Sequence, residues 1–155
     1  MFKHILVPVD GSATAFSAVD NAQALAKAFG SEVAMVYVID PYPFTGVGAD
    51  FAYGQDQYLT AATAEANATV DAVAARLEEA GVKVHKRVVE ANSASRGILE
   101  AAQAVGADLI VMGSHGRRGL EKLVLGSVAQ RVLSGATSLK IFIILCIFCN
   151  TFNGS

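Results

Sequence analysis

Short apolar runs alternate along this chain with longer segments in which apolar residues return every three or four positions. The first run, "HILVPVD" at residues 4 to 10, closes on Asp10-Gly11-Ser12 and reads as a buried strand. "SATAFSAVDNAQALAKAFG" follows, with Phe16, Val19, Ala22, Ala26 and Phe29 spaced for one helical face and Gly30 placed to end it. "EVAMVYVID" is a second β-rich run, stopped by Pro41 and Pro43. Residues 41 to 56 mix prolines, glycines and aromatics without a period and are expected to form a loop. A long helix is predicted over "DQYLTAATAEANATVDAVAARLEEAG", with Tyr58, Ala62, Ala66, Val70, Val73 and Leu77 on one face and Gly81 just past its end.

"VKVHKRVVE" alternates Val82, Val84 and Val88 with Lys83, His85 and Arg87, which predicts a strand with one wet face near a sheet edge. "SASRGILEAAQAVGA" reads as a helix with Gly97 near its start, "DLIVMG" as a fully apolar strand, and a further helix is expected from about Ser127. "LKIFIILCIF" supplies a last apolar run. Strands alternating with helices require crossover connections, hence an α/β fold with an open, mostly parallel sheet and helices on both faces. Such sheets bind ligands outside the carboxyl ends of their strands, where strand order reverses. "VDGS" after the first strand and "MGSHG" after the fourth have the character of such a site.

The length of 155 residues is that expected of a single domain spanning 1–155. A net charge of −2 with 17% charged residues gives no reason to expect nucleic acid or an anionic membrane as partner. Pro8 and Asp10 interrupt the first apolar run too early for a secretory signal, so a cytoplasmic setting is expected. Cys146 and Cys149 have the C-x-x-C spacing of redox or zinc sites, but no second ligand pair accompanies them, and incidental thiols are the expectation. No cluster of His, Cys, Asp and Glu has metal-ligand spacing, so any metal is expected to arrive with a ligand.

"GSHGRRGLEKLVLGS", residues 113 to 127, carries the candidate chemistry. Gly113 and Gly116 let main chain approach a ligand closely. Gly126-Ser127 opens a helix whose first amides lack partners within it, and those amides favour an anion such as phosphate. Two glycine turns nine residues apart can hold a phosphate chain from two sides. Residue types alone leave open a plainer reading, a connection with ordinary cap glycines. G-x-x-x-x-G-K-[ST] and G-x-G-x-x-G are both absent, which argues against Walker-type and dinucleotide sites.

Gly113-x-x-Gly116, nine residues, then Gly126-Ser127 resembles the G-x2-G-x9-G-[ST] motif of the ATP-binding subgroup of the universal stress protein family. "ILVPVDGS" and "MGSHG" resemble that family's first and fourth strand ends, and the likeness runs from about residue 2 to 137. The resemblance implies a Rossmann-like sheet of strand order 3-2-1-4-5, ATP binding with Mg2+ accompanying the nucleotide, and a homodimer. It implies that Pro8, Val9 and Asp10 line the adenosine end, with Val38 and Met112 against the adenine ring. Gly113, Ser114, His115 and Gly116 would follow the ribose and phosphates, and Gly126, Ser127 and Val128 would give amides to the β- and γ-phosphates. The family's usual ending is a "GATCPVLVV"-like segment, whereas "SGAT" here leads into "SLKIFIILCIFCNTFNGS". Residues 139–155 are thus an atypical apolar strand or tail, falling on the fifth strand through which family dimers commonly pair. The run is shorter than the roughly 20 apolar residues that span a bilayer.

Each candidate also has an ordinary role. Asp10 is a common turn residue, His115 could be a general base or a lining donor, and Arg117 and Arg118 could neutralise phosphate or simply be solvated. His4 and His85 lie on strands and are expected to be structural. The sequence therefore points to an ATP-binding stress-response regulator with a regulated protein partner. Its rivals are a slow ATPase or other ATP-using enzyme, and a partner-binding module with a vestigial pocket.

Overall fold

The computed structural model describes residues 2–40, 49–113, 127–136 and 140–144. Five strands, β1 (His4–Pro8), β2 (Glu32–Ile39), β3 (Val84–Glu90), β4 (Leu109–Gly113) and β5 (Lys140–Ile144), alternate with four helices. The helices are α1 (Ala13–Phe29), α2 (Ala49–Glu79), α3 (Ala94–Val105) and α4 (Ser127–Gly135). The strands form one parallel sheet in the order β3-β2-β1-β4-β5, as the resemblance implied. Chain order reverses direction at β1, so β1 and β4 meet at the topological switch point.

Alternation of side chains along each strand divides the core into two layers. On one face Val19, Ala22 and Ala26 of α1 and Val70, Val73 and Leu77 of α2 pack on Ile5, Val7, Val33, Met35 and Val111. On the other, Ile98, Ala101 and Ala102 of α3 and Ala129 and Val132 of α4 pack on Leu6, Val36, Ile110 and Met112. The buried alanines let the helices sit close to a sheet whose own residues are branched and bulky.

Three details differ from the periodic reading. Phe16 and Phe29 lie at the border of the α1 face, each 39% exposed, while Ala15 and Ala18 are buried in α1. Phe29 instead meets Phe2 edge-on, with ring centroids 5.7 Å apart. Helix α2 begins at Ala49, so residues 49–55 are helical where a loop was expected, and residues 41–48 lie outside the described residues. Gly54 weakens that first part by about 1 kcal/mol relative to alanine, too little to end a helix this long. Gln57 Nε2 donates to Tyr53 Oη (3.0 Å) one turn away, across the same stretch.

The amino-terminal edge of the sheet is tied together by side chains. Lys3 and His4 donate their backbone N–H groups to Asp108 Oδ2 (2.8 Å) and Oδ1 (3.2 Å), and Asp108 N–H donates to the His4 carbonyl (3.0 Å). Glu32 links three strands on one face: Lys83 Nζ lies 3.0 Å from Oε1, His85 Nε2 3.0 Å from Oε2, and His4 Nδ1 3.8 Å from Oε2. Lys83 and then His85, as hydrogen-bond donors, hold the Glu32 carboxyl below its ordinary value. His4 and His85 thus stand at the edge remote from the candidate site, as structural partners of one carboxylate. Strand β3 is an edge strand, as expected, but its faces do not divide cleanly: His85 is exposed and Arg87 half-buried on one, while Lys86 is exposed beside half-buried Val84 and Val88 on the other, and Lys83 precedes the strand.

Candidate functional site

At the carboxyl edge the β1–β4 ladder ends early. Their ladder holds two residue pairs, Ile5 with Leu109 and Leu6 with Ile110, whereas β1–β2 and β4–β5 hold five each. The cause lies in Pro8. In a parallel strand, alternate residues turn their backbone groups to the same neighbour. Val9 N–H donates to the Val36 carbonyl of β2 (2.9 Å), and the His4 carbonyl accepts from β4's side of the sheet. Pro8 therefore belongs to the set facing β4, and it has no N–H to give. The ladder stops where that donor is missing, at the topological switch point whose crevice is where open sheets of this kind seat ligands.

Three apolar side chains floor this crevice. By alternation Pro8, Val38 and Met112 all fall on the α3/α4 face, at the ends of β1, β2 and β4. Met112 is 5% exposed, and Pro8 and Val38 are half-buried. Strands β2 and β4 flank β1, so the floor is two inter-strand spacings wide, about 10 Å. Such a strip suits a flat heterocycle. Val9 points to the opposite face and is buried in the α1/α2 layer.

Polar groups gather at the rim. Asp10 and Gly11 turn the chain from β1 into α1, and Gly11 takes φ +81°, a conformation that suits glycine. Asp10 Oδ1 accepts from Ser12 N–H (2.9 Å), and Ser12 Oγ caps α1 by accepting from Ala15 N–H (3.2 Å). The turn role considered for Asp10 is therefore real. A carboxylate can accept several hydrogen bonds at once. Gly113 ends β4, Ser127 is exposed at the first position of α4, and Val128 is half-buried against the α3/α4 layer. Ser114, His115, Gly116 and Gly126 lie outside the described residues, as do Arg117, Arg118, Cys146 and Cys149.

Gly97 is a feature of this region that periodicity could not assign. A Cβ built on it would lie 2.8 Å from both Cγ1 and Cγ2 of Val38 and 3.1 Å from Ala91 Cβ. A glycine in the first turn of a helix was the only sequence signal. On the other side of the sheet Val9, Gly11, Ala15, Phe16, Thr69 and Val73 line a dent too tight to hold a water molecule. Its one side-chain hydroxyl, on Thr69, already donates to the Glu65 carbonyl (2.9 Å). It lacks the convergent polar groups of a ligand site. Among the described residues no three His, Cys, Asp or Glu side chains are placed to hold a metal, and no helix is long and apolar enough to cross a membrane.

Comparison with known proteins agrees with this architecture. The sequence profile of the universal stress protein family matches residues 1–138. Universal stress protein MJ0531 of Methanocaldococcus jannaschii is 39% identical over 136 residues, covering 88% of this chain and 78% of that protein. The solved structure of protein MJ0577 from the same organism has a TM-score of 0.80 at 29% identity, covering 93% of this chain and 96% of that one. A universal stress protein solved in complex with cAMP shares the fold, with a TM-score of 0.68 at 23% identity over 92% of this chain and 96% of that one.

Proposed function

The chain belongs to the universal stress protein family, and from that premise we propose that it binds an adenine nucleotide, ATP with Mg2+, in the β1/β4 crevice and acts as a nucleotide-dependent regulator of a protein partner. The observation that carries this reading is the apolar floor of Pro8, Val38 and Met112 beside the polar Asp10–Ser12 turn, at a switch point where the β1–β4 ladder ends. A flat base fits the floor and a ribose hydroxyl fits the turn. A family member of the same fold has been solved with cAMP, which supports an adenine ligand.

On this reading Pro8 and Asp10 line the adenosine end with the backbone of Val9, whose side chain is buried on the opposite face of the sheet, and Val38 and Met112 press on the base. Gly113, Ser114, His115 and Gly116 follow the ribose and phosphates, while Gly126, Ser127 and Val128 offer amides to the terminal phosphates. A magnesium ion would accompany the nucleotide through its phosphates. Residues 1–155 act as one domain, in a cytoplasmic homodimer, and the bound nucleotide determines the surface that residues 114–125 present to the partner.

Calorimetric titration with ATP and magnesium tests the reading, run beside a Gly116→Val/Gly126→Val double variant. Saturable binding by the parent, lost in the variant, is expected. A folded parent, stripped of co-purified nucleotide, that takes up no ATP would leave the family's fold in place as a partner-binding module and remove the ligand.

A further inference from the structure

Gly97 stands in the first turn of α3, and its backbone lies in the fork of the Val38 isopropyl group, with both methyls 2.8 Å from where a Cβ would be. A rotation of χ1 does not relieve this contact. Two methyls share three staggered positions, so at least one of the two fork positions is occupied in every rotamer. Nor has Val38 room to retreat sideways. Its partner across the strand pair is Val89 of β3, packed in the same layer, and Ala91 closes the space beside Gly97. The remaining direction is away from α3 and β3, toward the β1 side of the sheet.

Resting on the adenine-nucleotide reading above, we propose that Gly97 is a positioning residue for the base: by having no side chain it lets α3 seat directly on Val38 and keeps that side chain in place on the sheet face it shares with Pro8 and Met112, two residues beyond Val36, the partner of Pro8. A side chain at position 97 either drives Val38 into the space of the base or lifts the start of α3. Among the described residues, the atoms nearest a Cβ at position 97 belong to Val38 and Ala91. The effect should therefore fall on base recognition and act only through Val38.

A double-mutant cycle on ATP affinity tests this, using the full chain with Gly97→Ala, Val38→Ala and the two combined, each with its thermal midpoint recorded. Gly97→Ala is expected to weaken ATP roughly ten- to a hundredfold, the range that one methyl group is worth in an apolar pocket. In the Val38→Ala background the same change is expected to have no further effect, because the clashing methyls are gone. A purely structural role would persist there, through Ala91 or helix α3 itself. A parent-like affinity in Gly97→Ala, or an equal loss in both backgrounds, overturns the proposal while leaving the nucleotide reading intact. A parent that binds no ATP overturns both. Should Gly97→Ala not fold, the comparison of Val38→Ala with the double variant decides alone: equal affinities uphold the proposal and a further loss overturns it.

Discussion

At Pro8 a single missing hydrogen shapes the site. Its neighbours Leu6 and Val9 are both bonded into the sheet, one toward β4 and the other toward β2, and the β4 ladder ends where proline has nothing to donate. Replacing Pro8 with alanine returns an N–H aimed at β4. The new hydrogen bond is worth about 0.5–1.5 kcal/mol, and loss of proline's fixed φ frees the unfolded chain by about 0.4–1 kcal/mol. Stability should thus change little, with the urea midpoint of Pro8→Ala close to the parent's. Affinity for ATP should fall, because the ladder extends into the crevice and Met112 is drawn toward the strand end. Titration of the variant with ATP checks this, and an unchanged affinity would show that the missing donor does not shape the site. Gly97 differs from the cap glycines in the same residue-level terms. Gly106 takes φ +64° with open space around it, so what it requires is conformation, whereas Gly97 requires volume.

Between elements, the sheet is tied at one edge, and its β1–β4 ladder stops short of the other. Asp108 joins the starts of β1 and β4, and Glu32 joins β1, β2 and β3. Glu32 gives a pH signature. Its carboxyl is held below the ordinary 4.5, first by the hydrogen bond from Lys83 and then by that from His85. A carboxylate with a lowered folded value contributes stability above its ordinary value and loses it as pH falls through the lowered one. Urea unfolding of the parent and Glu32→Gln should therefore differ most above pH 4.5 and converge on further acidification. A difference independent of pH would assign the effect to packing instead. These cross-strand ties were not legible in the sequence, since Asp108 meets partners more than 100 positions away. The elements themselves were legible, because burial imposes periods of two and of 3.6 on the residues that face the core. The start of α2 was not, since Gly54 and the aromatics around it carry no helical period although the backbone tolerates them. Of the site, the ends of β1 and β4 could be read from turn residues and from glycine spacing. The close seating of α3 on Val38 could not, because nothing local distinguishes a glycine chosen for space from one chosen for its turn.

Across the whole molecule this asymmetry gives a nucleotide its leverage on stability. At the carboxyl edge, the β1–β4 ladder does not extend beyond Leu6 and Ile110, and thirteen residues of sequence, 114–126, separate the end of β4 from the start of α4. A ligand seated on Pro8, Val38 and Met112, with phosphates toward Ser127, would connect three strands and a helix where the sheet itself does not. Ligand that binds only the folded state stabilises it by mass action, by about 2.7 kcal/mol at a concentration one hundred times Kd. For a domain of this size each kcal/mol moves the thermal midpoint by about 2–4 °C, so ATP with magnesium at that concentration should raise it by about 5–10 °C. Calorimetric scans at several ATP concentrations check this. The midpoint should climb with the logarithm of concentration, and the Gly116→Val/Gly126→Val variant should show no climb over the same range. A rise in both proteins alike would place the nucleotide elsewhere on the surface. The gain should also concentrate at the carboxyl edge, where amide exchange near Val9 and Met112 would slow on binding, while the edge already held by Asp108 and Glu32 would have little further to gain.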